Sequence, residues 1–122
     1  MQKIVFTLLF SCIITSKIYS QNYSIILGRP TDKSISLSLL FDQNTDFYIE
    51  YGTSSQNYIK TSTTYYTSSN QTYTINLSDL TVNTKYYYRL RYKNNSINNF
   101  NSSPEYSFQT QRNKGESFTF TV

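Results

Sequence analysis

The residues in this sequence that could do chemistry are few and scattered. The 122-residue chain has no His, one Cys and seven acidic residues. Without His it lacks Ser-His-Asp and Cys-His catalysis, His-ligated zinc and His-based proton transfer. A two-metal centre needs several carboxylates, with His and Asn, converging on the ions. The sequence therefore predicts no catalytic, cofactor-binding or metal-binding residue. The carboxylates are spread over predicted turns and strand faces, at Asp32, Asp42, Asp46, Glu50, Asp79, Glu105 and Glu116.

One loop carries the residue types of a cation site. Asp42 and Asp46 flank Asn44, and oxygen ligands of this kind suit Ca²⁺. The same residue types commonly make local side-chain to backbone bonds in turns, and this interpretation is favoured. The three glycines are isolated from one another, so no glycine-rich phosphate loop is predicted.

Residues 1–20 have the three parts of a secretory signal peptide. Lys3 gives a positive start, residues 4–14 are apolar, and a polar stretch follows, which predicts cleavage before Gln21. The apolar run is too short to span a bilayer. We therefore expect an exported protein, periplasmic or extracellular, without a membrane partner after cleavage. Cys12 faintly resembles a lipoprotein acylation site, but a Cys removed with the signal peptide is favoured because the apolar run continues beyond it.

The basic residues give no nucleic-acid footprint. The net charge is +4, and Lys3 and Lys17 lie in the predicted signal peptide. A nucleic-acid-binding face would cluster its basic residues, whereas here they are scattered. The one dense group, Arg89, Arg91 and Lys93, is predicted to be the solvent face of a single strand.

The rest of the chain alternates between apolar and polar residues with the period of two that is typical of β-strands. Ala is absent, Tyr, Phe, Ile and Thr are abundant, and no window has apolar residues at helical spacing. Seven short strands separated by turn signals predict one all-β domain over residues 21–111, an antiparallel immunoglobulin-like sandwich. The strand-like segments are 25–28, 34–41, 47–52, 58–62, 72–77, 86–92 and 106–110.

A local pattern indicates a tyrosine corner. Leu80 precedes Tyr86 by six residues, with the turn-like residues 81–84 between them. In such a corner, a Tyr early in a sandwich strand bonds its hydroxyl to upstream backbone while its ring fills the core. We therefore predict structural roles for Leu80 and Tyr86.

Four tyrosines are candidates for surface contacts. Tyr48 and Tyr87 are predicted to point outward from their strands, and Tyr65 and Tyr66 lie in a Ser/Thr-rich segment. Exposed aromatic rings stack on sugars or pack against a neighbouring domain. The alternative is that these residues only favour strand formation.

Several stretches resemble a known family. Residues 80–92 resemble the end of a fibronectin type III domain, in which Leu, a turn and Tyr precede a strand. More specifically, residues 25–122 resemble the N-terminal fibronectin type III-like domain of secreted purple acid phosphatases and calcineurin-like metallophosphoesterases. The sequence departs from that family where strand 34–41 usually has a Trp, with Leu39 as the nearest apolar residue. The matching stretches are Gly28-Arg29-Pro30-Thr31-Asp32-Lys33-Ser34-Ile35, Tyr48-Ile49-Glu50-Tyr51-Gly52-Thr53-Ser54, Leu80 to Tyr92, and Pro104-Glu105-Tyr106-Ser107-Phe108-Gln109-Thr110-Gln111-Arg112.

The resemblance also interprets the end of the sequence. It implies that residues 112–116 are a linker and that residues 117–122 form the first strand of a truncated catalytic domain. An Asp-x-His motif and a two-metal centre would follow in that missing C-terminal domain. The alternative is that residues 117–122 add an edge strand to the sandwich.

The function implied by the resemblance is that of a non-catalytic accessory domain. It would belong to an exported metallophosphoesterase, a phosphate-ester hydrolase, and its partner would be the missing catalytic domain of the same chain. The alternative from the residues themselves is a stand-alone secreted glycan-binding or adhesion module that uses surface tyrosines and hydroxyls.

Overall fold

The computed structural model describes residues 22–117, 119 and 121. The predicted signal peptide, Cys12 included, lies outside the described residues. No helix within the described ranges has the length and apolarity needed to cross a membrane. The described residues form nine β-strands: β1 (Tyr23–Leu27), β2 (Ile35–Phe41), β3 (Thr45–Gly52), β4 (Lys60–Thr61), β5 (Tyr65–Thr67), β6 (Thr72–Leu77), β7 (Lys85–Asn94), β8 (Asn101–Ser102) and β9 (Tyr106–Gln109).

The strands form two antiparallel sheets packed as a sandwich, as the alternation predicts. The smaller sheet has the order β1-β2-β6. In the larger sheet, β3 and β7 are paired at the centre, β4 and β5 both pair with β3, and β8 and β9 both pair with β7. The nine strands therefore occupy seven positions, because each edge of the larger sheet is made of two short strands.

A serine bridges the break in each edge of the larger sheet. Between β8 and β9, Pro104 has no N–H to give to the ladder. Ser103 bridges this gap, since its N–H donates to the Leu90 carbonyl at 2.9 Å and its hydroxyl accepts from the Leu90 N–H at 2.9 Å. Ser62 does the same between β4 and β5: its N–H donates to the Ile49 carbonyl at 2.8 Å, and its Oγ accepts from the Ile49 N–H at 3.0 Å.

Aromatic rings fill much of the core between the sheets. The Phe41 and Phe47 ring centroids lie 5.2 Å apart, and Tyr86 stacks on Phe108 at 5.5 Å. Such pairs add about 0.5–1.5 kcal/mol beyond the burial of their area. Leu39 is completely buried between the sheets. The buried apolar residues are Tyr23, Ile35, Leu37, Leu39, Phe41, Phe47, Ile49, Tyr51, Ile75, Leu77, Leu80, Tyr86, Tyr88, Leu90 and Phe108.

The segment after β9 is exposed at residues 112–117. The Glu116 N–H donates to the Asn113 carbonyl at 3.2 Å, and Gly115 has a φ of 97°, so a turn follows the sandwich. Ser117, Thr119 and Thr121 have no strand assignment, and Phe118, Phe120 and Val122 lie outside the described residues. A catalytic-domain strand at residues 117–122 stays a prediction.

Candidate functional site

The outer face of the larger sheet carries paired charges. Side chains on this face come from alternate residues of β3 and β7, and opposite charges meet across the two strands. Glu50 lies opposite Arg89, with Oε2 and Nε 2.6 Å apart. Asp46 lies opposite Lys93, with Oδ2 and Nζ 3.8 Å apart. Two of the four basic residues of β7, Arg89 and Lys93, are therefore paired with acidic residues of β3.

A cluster of four side chains, Glu50, Tyr58, Arg89 and Glu105, extends this pairing; we call it the Arg89 cluster. The Arg89 guanidinium lies 4.7 Å from the centroid of the Tyr58 ring, a distance at which a cation and an aromatic face attract each other. The Tyr58 hydroxyl donates to the Glu105 carboxylate. Burial, followed by that hydrogen bond, raises the pKa of Tyr58 to about 12. The phenol therefore remains a donor throughout the neutral range.

Glu105 fastens the loop between β3 and β4 to the other edge of the sheet. Its carboxylate accepts hydrogen bonds from the Ser55 hydroxyl and the Gln56 N–H, both at 2.7 Å, in addition to Tyr58. These three donors, with Tyr58 first, hold the pKa of Glu105 below its ordinary value. Gln56 has a φ of 59°, a left-handed conformation that its contacts with Glu105 help to fix.

Gly52 allows this loop to fold back against the end of β3. A Cβ placed at Gly52 would lie 2.2 Å from the Asn57 carbonyl oxygen, far inside a normal contact. The Asn57 N–H also donates to the Ser54 carbonyl at 3.2 Å. Only glycine fits at this position without a backbone shift, which gives a physical reason for the glycine in the Tyr51-Gly52-Thr53-Ser54 motif.

The chain leaves the sandwich through a network of hydrogen bonds at residues 110–111. Thr110 is buried, and its hydroxyl donates to the Thr81 carbonyl at 2.6 Å and accepts from the Thr84 N–H at 2.8 Å. The Gln111 N–H donates to the Thr31 carbonyl at 2.9 Å. We call this the exit end of the sandwich. The departing backbone is bonded to two separate turns and has a fixed direction.

The tyrosine corner lies beside this exit. The Tyr86 hydroxyl accepts a hydrogen bond from the Thr81 N–H at 3.0 Å, and Leu80 is buried. The Leu80 N–H donates to the Lys33 carbonyl at 3.0 Å. Leu80 and Tyr86 thus hold the turn to which Thr110 is bonded.

Sequence comparison places this arrangement in a family. The model of the purple acid phosphatase N-terminal domain matches residues 21–110. The chain belongs to the purple acid phosphatase N-terminal domain family. The match ends at Thr110, the residue that follows the last strand of the sandwich. No curated protein matches the chain.

Solved structures similar to this purple acid phosphatase N-terminal domain share its fold at low sequence identity. The sensor domain of the anti-sigma factor RsgI4 in Pseudobacteroides cellulosolvens has a TM-score of 0.55 and 14% identity, over 82% of this chain and 89% of that one. A computationally redesigned β-sandwich protein has a TM-score of 0.52 and 19% identity, over 75% and 94%. The structure of the FN1–FN3 domains of chicken CNTN1 has a TM-score of 0.52 and 18% sequence identity, over 72% of this chain and 31% of that chain. These likenesses show a fibronectin type III-like sandwich and nothing further.

Three of the four tyrosines predicted for surface contacts, Tyr48, Tyr66 and Tyr87, lie on the outer face of the larger sheet. Tyr66 is half exposed. Tyr48 packs edge-to-face on Phe100 at 5.0 Å, and the Lys85 ammonium lies 5.1 Å from the Tyr87 ring.

Tyr65 requires a correction, because it packs inward rather than facing solvent. It lies opposite the buried Phe47 in the β3–β5 ladder, so it shares the inner face of the sheet. Its ring centroid lies 5.6 Å from that of Phe47 and 5.5 Å from that of Tyr73. Tyr65 is therefore part of the core margin.

In the loop with the residue types of a cation site, two of the three side chains make local contacts. The Asn44 Oδ1 accepts from the Ser69 N–H at 2.9 Å, and Asp46 pairs with Lys93. Within the described part of the chain, no three His, Cys, Asp or Glu side chains lie close enough together to hold a metal ion.

Sequence reasoning missed the Arg89 cluster. Glu105 and Tyr58 are 47 residues apart, and no local pattern connects them. The signal that could have found the cluster is the family resemblance itself, since Glu50, Arg89 and Glu105 all fall within the matching stretches.

Proposed function

We propose that this domain is the non-catalytic N-terminal accessory domain of an exported metallophosphoesterase, an enzyme that hydrolyses phosphate esters. The observation that carries the proposal is the match to the purple acid phosphatase N-terminal domain across the whole sandwich. A family domain of this kind has the enzyme's catalytic domain as its natural partner. The exported location rests on the signal-like residues 1–20.

The residues of the domain do not fit the two-metal centre of such an enzyme. Glu50 is held by Arg89, and Glu105 is held by three donors in a different loop. No converging set of metal ligands occurs among the residues that the structure describes, and the sequence has no His. The two metal ions, and the hydrolysis that they support, are therefore proposed for the catalytic domain.

The mechanical role that the geometry supports is orientation of the following domain. Backbone that leaves a domain through a flexible linker transmits no direction, so this role requires the exposed residues 112–116 to be held against one of the two domains in the complete polypeptide. Here residues 110–111 are bonded to the turns at Thr31 and at residues 81–84. The proposed contact surface is the exit end together with the neighbouring Arg89 cluster, since covalently linked domains commonly bury a modest, partly polar interface.

The second candidate function is a stand-alone module that binds glycans through its surface tyrosines. It receives less support, since Tyr65 packs inward and Tyr48 and Tyr87 are engaged with Phe100 and Lys85.

The proposal is tested on the complete polypeptide encoded at the native locus. The coding sequence beyond Val122 should continue in frame into an Asp-x-His motif, and a stop codon there would contradict the proposal. The purified polypeptide should hydrolyse p-nitrophenyl phosphate with Zn²⁺, Fe³⁺ or Mn²⁺ present, whereas residues 21–111 should not. Metal-dependent turnover by residues 21–111 would show that the domain is catalytic.

The orienting role has its own test in the same polypeptide. Thr110→Val keeps the side-chain shape and removes the hydroxyl that bonds to residues 81 and 84. Small-angle X-ray scattering should show a broader distribution of interdomain distances than in the parent. Thr74→Val, on the exposed face of β6, is the matched control. Equal scattering for parent and Thr110→Val would remove the support for a rigid exit.

A further inference from the structure

A cleft lies at the end of the sandwich opposite the exit. It forms where the start of β1 meets the β2–β3 loop and the β7–β8 loop, and its volume is about 280 Å³. That volume is just below the range of about 300–1,000 Å³ typical of small-molecule sites. We call it the loop-end cleft. Its lining residues are Asn22, Phe41, Asp42, Gln43, Thr45, Tyr92, Asn94, Ile97 and Asn101.

The lining combines neutral hydrogen-bonding groups with an apolar surface. Four amide side chains and the hydroxyls of Thr45 and Tyr92 supply donors and acceptors, and Phe41, Ile97 and the Tyr92 ring supply the apolar part. Asp42 is the one charged residue among these nine. An anion such as phosphate would meet a carboxylate without a compensating cation. A neutral ligand with many hydroxyls and apolar ring faces fits this lining.

The loops around the cleft are bonded to one another before any ligand arrives. The Asn94 Nδ2 donates to the Gln43 Oε1 at 2.9 Å, which joins the β7–β8 and β2–β3 loops. The Ser69 hydroxyl donates to the Asp42 carbonyl at 2.6 Å, which joins the β5–β6 loop to them. Cross-linked loops lower the entropy lost on binding.

The Asp42 carboxylate makes no hydrogen bond or ion pair with the residues that the structure describes. The backbone N–H and carbonyl of Asp42, in contrast, are both hydrogen-bonded. Its N–H donates to the Asn22 carbonyl at 3.3 Å, and its carbonyl accepts from Ser69. A fixed main chain with a free carboxylate leaves two acceptor oxygens for a ligand. A carboxylate accepting from paired sugar hydroxyls makes charge-assisted bonds, which are stronger than neutral ones.

Two further cavities adjoin the cleft at Asp42. One, of about 360 Å³, shares Asp42, Gln43 and Asn94 with it and continues over the β5–β6 loop. The other, of about 230 Å³, shares Asn22, Phe41 and Asp42 and continues along β1. Polar residues line most of both extensions.

We propose that the loop-end cleft binds a neutral oligosaccharide, with Asp42, Gln43 and Asn94 bonding its hydroxyls. The site lies at the end of the sandwich away from residues 110–111, so a bound glycan and a following domain occupy opposite ends. The domain then holds its polypeptide at a polysaccharide-bearing surface. This binding is independent of the accessory role proposed above.

The test is isothermal titration calorimetry of the purified chain against four neutral probes: cellohexaose, xylohexaose, mannohexaose and chitohexaose. At least one should bind. Asp42→Ala and Asn94→Ala should each weaken that binding about tenfold or more, the loss expected for one or two hydrogen bonds to a charged or oriented group. Asn76→Ala, an exposed residue on the outer face of β6, is the matched control and should bind like the parent.

Melting temperatures of all variants keep the test decisive, because each substitution lies at an exposed or half-buried position. Gln43→Ala provides a second probe of the same loop if either variant unfolds. Failure of all four oligosaccharides to bind would overturn the proposal. So would tighter binding of inorganic phosphate, or binding that Tyr66→Ala abolishes while Asp42→Ala and Asn94→Ala leave it intact.

Discussion

Ile49 and Leu90 lie opposite each other in the ladder between β3 and β7. The backbone N–H and carbonyl of each point away from the other strand, toward an edge of the sheet, where both groups bond to a serine. The Ile49 N–H donates to the Ser62 hydroxyl at one edge of the sheet, and the Leu90 N–H donates to the Ser103 hydroxyl at the other. In both cases a serine hydroxyl stands in for the backbone carbonyl that a continuous strand would supply. The larger sheet thus keeps its central pair saturated where both edge strands are interrupted.

Removing either hydroxyl should destabilise the domain, and Ser103 should cost more. Ser103→Ala leaves the buried Leu90 N–H without an acceptor, which costs about 1–3 kcal/mol in the free energy of unfolding. Ser62 is more exposed, so water can replace its hydroxyl, and Ser62→Ala should cost less. Urea unfolding monitored by tyrosine fluorescence measures both. Ser107→Ala, exposed on β9, is the control, and equal midpoints for Ser103→Ala and Ser107→Ala would contradict the role given to Ser103.

Tyr86→Phe isolates the hydroxyl of the tyrosine corner. The ring stays in place against Phe108, but the Thr81 N–H loses its acceptor. We expect a loss of about 1 kcal/mol or more in the free energy of unfolding. Tyr87→Phe, on the opposite face of the same strand, is the control for loss of a phenol hydroxyl. If the two variants unfold at the same urea concentration, the corner bond does not contribute to stability.

The fold could be predicted from the sequence because its signals are local. Alternation fixes which residues of β2, β3, β6 and β7 face the core, and the Leu80–Tyr86 spacing indicates the corner. The two-part edges could not be predicted in the same way. Ser62 and Ser103 act through partners 13 residues away in each case, and a lone serine between apolar segments has no distinguishing pattern.

The candidate sites depend on contacts between distant loops, which alternation does not encode. Glu105 meets Ser55 across 50 residues, and Asn94 meets Gln43 across 51. The position of Tyr65 also depends on such a non-local relationship. A Ser/Thr-rich neighbourhood suggested a surface position, whereas its register opposite Phe47 directs it inward, and register is a tertiary property.

Gly52→Ala should damage the loop that the Arg89 cluster holds. Its Cβ would lie 2.2 Å from the Asn57 carbonyl oxygen, so the backbone must move, and strain of this kind typically costs about 1–3 kcal/mol. Gly28→Ala is the comparison and should cost less, because its Cβ would approach the Ser36 Cβ to 3.2 Å and the Ser36 carbonyl oxygen to 3.3 Å, which requires a much smaller shift. Urea unfolding measures the cost, and amide chemical shifts at Gln56 report the loop. Unchanged shifts in a Gly52→Ala variant of parental stability would contradict the close approach.

Glu105 should make the domain's stability depend on pH on the acidic side. Its pKa in the folded chain is held below the ordinary value of 4.5 by hydrogen bonds from Tyr58, Ser55 and the Gln56 N–H. The ionised form is therefore favoured by folding, so its contribution is complete above pH 4.5 and is lost as the pH falls through the lower folded value.

Glu105→Gln tests this dependence. The variant should be less stable than the parent at pH 7, and the difference between them should shrink as the pH falls below 4.5, since the parent then loses the same ionised acceptor. Glu116→Gln, in the exposed segment after the sandwich, is the control and should follow the parent at every pH. Urea midpoints measured between pH 7 and pH 3 decide the matter. A Glu105→Gln curve that runs parallel to the parent over that whole range would show that the carboxylate's charge does not stabilise the loop.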